Sequence, residues 1–222
     1  FAWLTASSSP IIQIDFEQSA EASIAGRKLR PVTSVPERFL APSGADKSGQ
    51  SALFAAEQLS ETGKQAGKTI GQPLYNLTYH FGPALTLDQG TVELRLRPFF
   101  NQLSPYRKST PNFRLYYAIT LRDSKSAQDI LRIFFDDKTI HVSLRSADGK
   151  ETLFSAPFTG WQRGKWHTLA FSWTASRKIL FMNGKVIADK PLVGALAAFD
   201  LLMLGGSYDG CNLQGMLDDV TV

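Results

Sequence analysis

Apolar and polar residues alternate over short stretches through most of this chain. In "TVELRLRPFF" (91–100), Val92, Leu94 and Leu96 fall on one side and Glu93, Arg95 and Arg97 on the other; Pro98 ends the run. "WHTLAFSWT" (166–174) puts His167, Leu169, Phe171 and Trp173 on a single face. "RKILFM" pairs back after a turn at Thr174–Ser176, and Asn183-Gly184 reverses the chain tightly into "KVIAD". Asn-Gly suits a type I′ turn, which needs positive φ at both central residues.

Further strands are predicted at "IIQIDFEQ" (11–18), "SALFAA" (51–56), "FRLYYAITLRD" (113–123), "DILRIFF" (129–135), "TIHVSLRS" (139–146), "ETLFSAP" (151–157), "FDLLMLGG" (199–206) and "GMLDDVTV" (215–222). The Asp-Gly of "ADGK" marks another turn. The Ala-, Ser-, Pro- and Gly-rich residues 19–48 predict loop, and residues 57–83, with no clear period, an insertion between strands. Some ten or eleven short strands at even spacing predict two antiparallel sheets of five to seven strands each, packed face to face with little helix. Leu217 and Val220 both point inward only if a bulge or bend separates them. No repeat of 20–50 residues is visible.

The 222 residues suffice for one large all-β domain, and a hydrophobic fraction of 43% fills its core without staples. No apolar run reaches the roughly 18 residues of a membrane span. Cys211 is the single cysteine, which excludes an intrachain disulfide and a cysteine-based zinc site. The net charge of +4 is small for the length and does not point to nucleic acid. The chain starts on Phe1, and "FAWLTASSSP" (1–10) has the character of a leader remnant or linker. "NLT" (76–78) matches a glycosylation sequon.

The order of motifs resembles the laminin G-like jelly-roll domains of the concanavalin A-like lectin/glucanase superfamily. The matching pieces are "IDFE" at the first strand, "DKSGQSALF" before the second, "LDQGTVELRLRP", "GKWHTLAFSWT" with "ILFMNGKVIA", and "LLMLGG" followed by "LQGMLDDVTV". The likeness runs from about residue 11 to 222 and implies an all-β, two-sheet antiparallel sandwich whose last strand lies beside its first. In that frame Trp166 covers the core edge, and Gly205, Gly206 and Gly215 mark strand bends or close backbone passages.

The superfamily holds enzymes, lectins and protein-binding modules, so fold does not decide function. A retaining glycosidase needs two carboxylates about 5–5.5 Å apart. Glu93 stands alone on its strand, Asp136-Asp137 falls in a turn, and Asp218-Asp219 are neighbours facing opposite ways. A weaker resemblance is to jelly-roll alginate lyases, whose Arg-x-Glu-Leu strand is similar to "TVELRLR" and whose Gln-Ile-His is similar to "TIH" (139–141). The chain departs from them: Thr91 or Val92 stands in place of the first Arg, Thr139 in place of the Gln, and the closing Tyr-Phe-Lys-Ala-Gly-x-Tyr motif is missing. Glu93, Arg95 and His141 therefore count as solvent-face residues. His80, His141 and His167 have no metal-ligand spacing; His167, after the family's Trp, is expected to be structural.

The resemblance also implies a structural Ca²⁺, with Asp15, Asp46 and Asp219 (or its neighbour Asp218) as candidate ligands. Candidates for ligand binding are Arg95, Arg132, His141 and Tyr208, within a wider set of Arg97 and Arg145 on strands and Tyr75, Tyr79, Tyr106, Arg107 and Trp161 in loops. Aromatic rings serve the apolar face of a sugar, and arginines an acidic glycan or a protein carboxylate. The expectation is a non-catalytic extracellular module (secreted, periplasmic or on the cell surface), part of a larger protein, that binds carbohydrate. A polysaccharide-degrading enzyme and a protein-interaction or structural module are the competing readings.

Overall fold

A computed structural model describes residues 12–17, 19–24, 26–32, 40–42, 50–54, 76–98, 116–136, 139–157, 161–162, 164–191, 194–206, 213 and 215–222. Among these the secondary structure is all β, in sixteen strands. They are β1 (Ile12–Ile14), β2 (Ala22–Ile24), β3 (Arg27–Leu29), β4 (Leu40–Pro42), β5 (Gln50–Phe54), β6 (Leu77–Leu85), β7 (Gly90–Pro98) and β8 (Tyr116–Asp123). There follow β9 (Gln128–Phe135), β10 (Thr139–Arg145), β11 (Glu151–Pro157), β12 (His167–Trp173), β13 (Arg177–Met182), β14 (Lys185–Pro191), β15 (Phe199–Leu204) and β16 (Gly215–Thr221).

Two antiparallel sheets result. Ten strands form one, in the order β14-β13-β12-β7-β16-β1-β2-β3, with β5 also on β16 and β4 on β5. Six form the other, in the order β11-β10-β9-β8-β15-β6. Inward residues of both, among them Val92, Leu94, Leu96, Ile133, Ile140, Val142, Leu169, Phe171 and Leu202, make one contiguous core. Burial of such side chains is the main drive to stack the sheets.

The alternation places the long strands as expected. Val92, Leu94 and Leu96 are buried, as are His167, Leu169, Phe171 and Trp173. First and last strands pair, with Ile14 opposite Val220. Leu217 and Val220 both point inward, and the β7–β16 register shifts between Asp218 and Thr221, where Asp219 has φ of 46°. This is the bulge that two inward residues three apart demand. Asn183 and Gly184 both have positive φ, 50° and 75°. In the Asp148-Gly149 turn only Gly149 adopts it, at 83°.

Three expectations need correction. Residues 19–48 contain strands β2, β3 and β4, three residues each, too short to show a period. The expected insertion 57–83 ends in a strand, β6, which buries Leu77, Tyr79 and Phe81; the rest of it, to residue 75, lies outside the described residues. Gly82-Pro83 suggests a break, but β6 is an edge strand, where a proline costs no ladder bond. The ten-strand sheet also exceeds the expected size, through these short additions beside β1 and β16.

Candidate functional site

Period-two alternation gives each sheet an inward and an outward face, so the outward residues of neighbouring strands form rows. The expected ligand-binding residues do not share a row. Arg95 lies on the outer face of the ten-stranded sheet, opposite Thr168 and Asp218. Arg132 and His141 lie on the outer face of the six-stranded sheet, on the paired strands β9 and β10. Tyr208 is outside the described residues. Glu93 and Arg95 are thus separated from His141 by the full thickness of the sandwich, and the lyase-like set cannot meet on one substrate.

On the six-stranded sheet the polar groups are held by one another. His141 contacts the Asp136 carboxylate through Nε2 at 3.0 Å and the Ser155 hydroxyl through Nδ1 at 2.8 Å, and its ring stacks on Phe134 at 4.9 Å. Phe134 stacks in turn on Tyr117 at 5.2 Å. Asp136 also accepts the Thr139 amide, which fixes the β9–β10 turn. Arg132 reaches Glu151 (2.7 Å) and Asp129 (3.6 Å); Arg145 reaches the other oxygen of Glu151 (3.0 Å); Arg122 is on Asp129 (2.6 Å). The Ser143 hydroxyl joins Glu151, whose carboxyl is held below the usual range, chiefly by that hydrogen bond and, against the effect of burial, by Arg132 and Arg145. Tyr117, Thr120, Phe134, Leu201 and Met203 are buried although outside the main core.

The outer face of the ten-stranded sheet is different. Thr91, Glu93, Thr168, Ala170, Ser172, Phe181 and Gly184 line an open groove of about 270 Å³. Its origin is simple. Glu93 on β7 pairs with Ala170 on β12, and Ala170 with Phe181 on β13. Strands lie about 4.8 Å apart, so Glu93 and Phe181 stand roughly 10 Å apart across an alanine that fills none of the gap. The next row repeats the step with Thr91 and Ser172, whose hydroxyls bond at 2.8 Å. Phe181 and the floor residues are half-exposed, and Glu93 is exposed. Beside the groove, Arg95 is paired with Asp219 at 3.0 Å, Arg97 donates to the Gly164 carbonyl at 2.9 Å, and Arg177 pairs with Asp189. The Glu93 carboxylate has no partner among the described residues. The sequence signal for this floor is the Thr-x-Ala-x-Ser interleaved with the core residues of "HTLAFSW"; Phe181 hides inside the apolar run "ILFM".

The aromatic candidates in loops fare differently. Tyr79 belongs to β6, not to a loop: it is buried, its hydroxyl donates to the Ala20 carbonyl at 2.8 Å, and burial pushes its phenol far above the ordinary range. Trp161 packs on the core edge, stacked on His167 at 4.7 Å and against Phe135 at 5.5 Å, a place expected for Trp166. His167 is buried as a structural residue. The Asn183 carbonyl oxygen accepts the Thr168 amide, so its amino group faces His167 Nδ1 at 3.1 Å, while Nε2 lies 3.0 Å from the Gln162 amide nitrogen and 3.1 Å from the Gln162 carbonyl. Tyr75, Tyr106 and Arg107 lie outside the described residues.

Of the acids suggested for calcium, Asp219 sits on β16, Asp15 directly follows β1, the strand paired with β16, and Asp46 is outside the described residues. Asp219 is on Arg95, and Asp15 accepts the Glu17 amide at 3.2 Å. Among the described residues no group of three His, Cys, Asp or Glu side chains comes together. These two acids alone fall short of the six to eight oxygens that Ca²⁺ takes.

The architecture is a two-sheet antiparallel β-sandwich with an open groove on one outer face. Residues 106–222, more than half of the chain, match the family model described as concanavalin A-like lectin/glucanases superfamily, and the chain belongs to that superfamily. No curated protein sequence matches it. Solved structures similar to it include the receptor-binding domain of botulinum neurotoxin type G (TM-score 0.60, 11% identity, 96% of this chain and 47% of that one). That of type D is similar too (TM-score 0.62, 10% identity, 96% and 48%), as is the serotype D ligand-binding domain in complex with N-acetylneuraminic acid (TM-score 0.62, 9% identity, 96% and 47%). The chain spans about half of each. At such identity the likeness is one of fold.

Proposed function

We propose that this protein is a non-catalytic binding module whose ligand is carbohydrate and that it acts outside the cytoplasm as part of a larger protein. The observation that carries this reading is the open groove between Glu93 and Phe181. It offers a ring for the apolar face of a sugar, with hydroxyls and a carboxylate for the sugar's own hydroxyls. The superfamily, and a similar structure described in complex with N-acetylneuraminic acid, support a saccharide as the ligand class. The test is a glycan array with and without EDTA, followed by product analysis. Binding without release of product supports the module. Unsaturated oligosaccharides released from an acidic polysaccharide would turn the assignment to a lyase. Loss of folding cooperativity in EDTA would assign calcium a structural role.

A further inference from the structure

The chemistry of the groove goes further and selects among saccharides. Glu93 is the one charged residue lining it, among the described residues. Every arginine described beside it already has an acceptor: Arg95 has Asp219, Arg97 the Gly164 carbonyl, Arg177 the Asp189 carboxylate. On β14, Val186 pairs with Phe181 and extends the apolar side of the groove, while Lys185 pairs with Met182 and Lys190 with Lys178, both residues of the inward face. A carboxylate entering the groove would therefore meet a like charge and, among the described residues, no spare cation, an arrangement that disfavours it.

A sugar hydroxyl is the complementary partner. A carboxylate accepts two hydrogen bonds and suits neighbouring hydroxyls on one ring. Thr91 and Ser172 satisfy each other with one hydrogen bond and keep further capacity for a ligand. Ala170 leaves the floor clear, and Phe181 supplies the stacking surface across from the acid. The volume of about 270 Å³ lies just below the roughly 300–1,000 Å³ of small-molecule sites, which suits one or two sugar rings in a longer chain.

We infer that the groove formed by Thr91, Glu93, Thr168, Ala170, Ser172 and Phe181 binds a neutral saccharide and rejects sialylated and uronate-bearing ones. This rests on the carbohydrate reading above and narrows it. The test titrates the full chain, to millimolar ligand, with a neutral panel (glucan, mannan and galactan oligosaccharides) and an acidic panel (sialyl-lactose and oligouronates), read by NMR shift perturbation. Three variants accompany it: E93Q, F181A and A170L. The expected result is binding of a neutral oligosaccharide alone, weakened about tenfold or more by E93Q and by F181A and abolished by A170L. E93Q and A170L change partly or fully exposed positions, so circular dichroism will show them folded. Neutral binding unmoved by all three variants would overturn the site while leaving the carbohydrate reading intact. Binding of an acidic oligosaccharide by the unaltered chain as tightly as a neutral one would overturn the ligand class alone. Binding of neither panel would overturn this inference, and the array would then decide whether the reading beneath it also falls.

Discussion

The ring of Phe54 on β5 lies against the α-carbon of Gly205, just after β15, so closely that a β-carbon on Gly205 would stand 2.0 Å from it. Gly205 also has φ of 74° and ties β8 to the segment before β16, donating to the Ala118 carbonyl and accepting from the Leu213 amide. The two sheets touch here through a residue without a side chain. G205A should cost about 2–4 kcal/mol, from overpacking and left-handed strain together. Urea unfolding measures it. In contrast, G149A, at a turn with positive φ and open space, should lose only the strain, about 1–2 kcal/mol. Equal losses would mean that the Phe54 contact is not tight.

Asn183 holds two neighbours and a strained φ at once. N183A loses the hydrogen bonds to Thr168 and His167 and keeps the strain; N183G loses the same bonds and relieves it. N183A should therefore be less stable than N183G by about 1 kcal/mol. For a chain of this size that is a difference of roughly 2–4 °C in thermal midpoint.

Lys178 is 4% exposed, on the inward side of β13, with its ammonium 5.4 Å from the Phe154 ring centre. Burial lowers its pKa. A lysine whose folded pKa lies below its unfolded one is disfavoured as the cation. Stability therefore rises with pH from the folded value to the unfolded one, near 10.5. K178M should be as stable as wild type at pH 7 within about 1 kcal/mol, since the ring offsets part of the burial. On approaching pH 10.5 wild type should gain relative to it. An unchanged difference at pH 7 and 10 would show that the amine is solvated.

Glu151 bridges Arg132 and Arg145, and its carboxyl is held below the usual range. Its contribution is present above the unfolded glutamate value and is lost as pH falls through the lower folded value. Because the side chain is 40% exposed, E151Q should cost only about 1 kcal/mol at pH 7. The cost should vanish in acid, below the folded value. A cost that persists there would place Glu151's role in packing rather than charge.

The amino-acid sequence by itself determined the sandwich. Period-two alternation in strands such as β7 and β12 leaves one way to bury Val92, Leu94, Leu169 and Phe171 together, and turns such as Asn183-Gly184 fix where the strands end. That Leu217 and Val220 need a bulge or bend between them to point inward together was legible in the sequence; that both do so, across Asp218–Asp219, was decided by the structure. Short strands (β2, β3, β4) and the edge strand β6 were hidden, because three residues carry no period and an edge tolerates proline. Only the tertiary structure decided the site. Whether Arg95 and His141 share a face depends on which sheet each strand joins, and pairing across distant segments is not written in either segment. The groove exists because Ala170 falls between Glu93 and Phe181. That coincidence of register among three strands sets shape and charge at once, and no local pattern reports it.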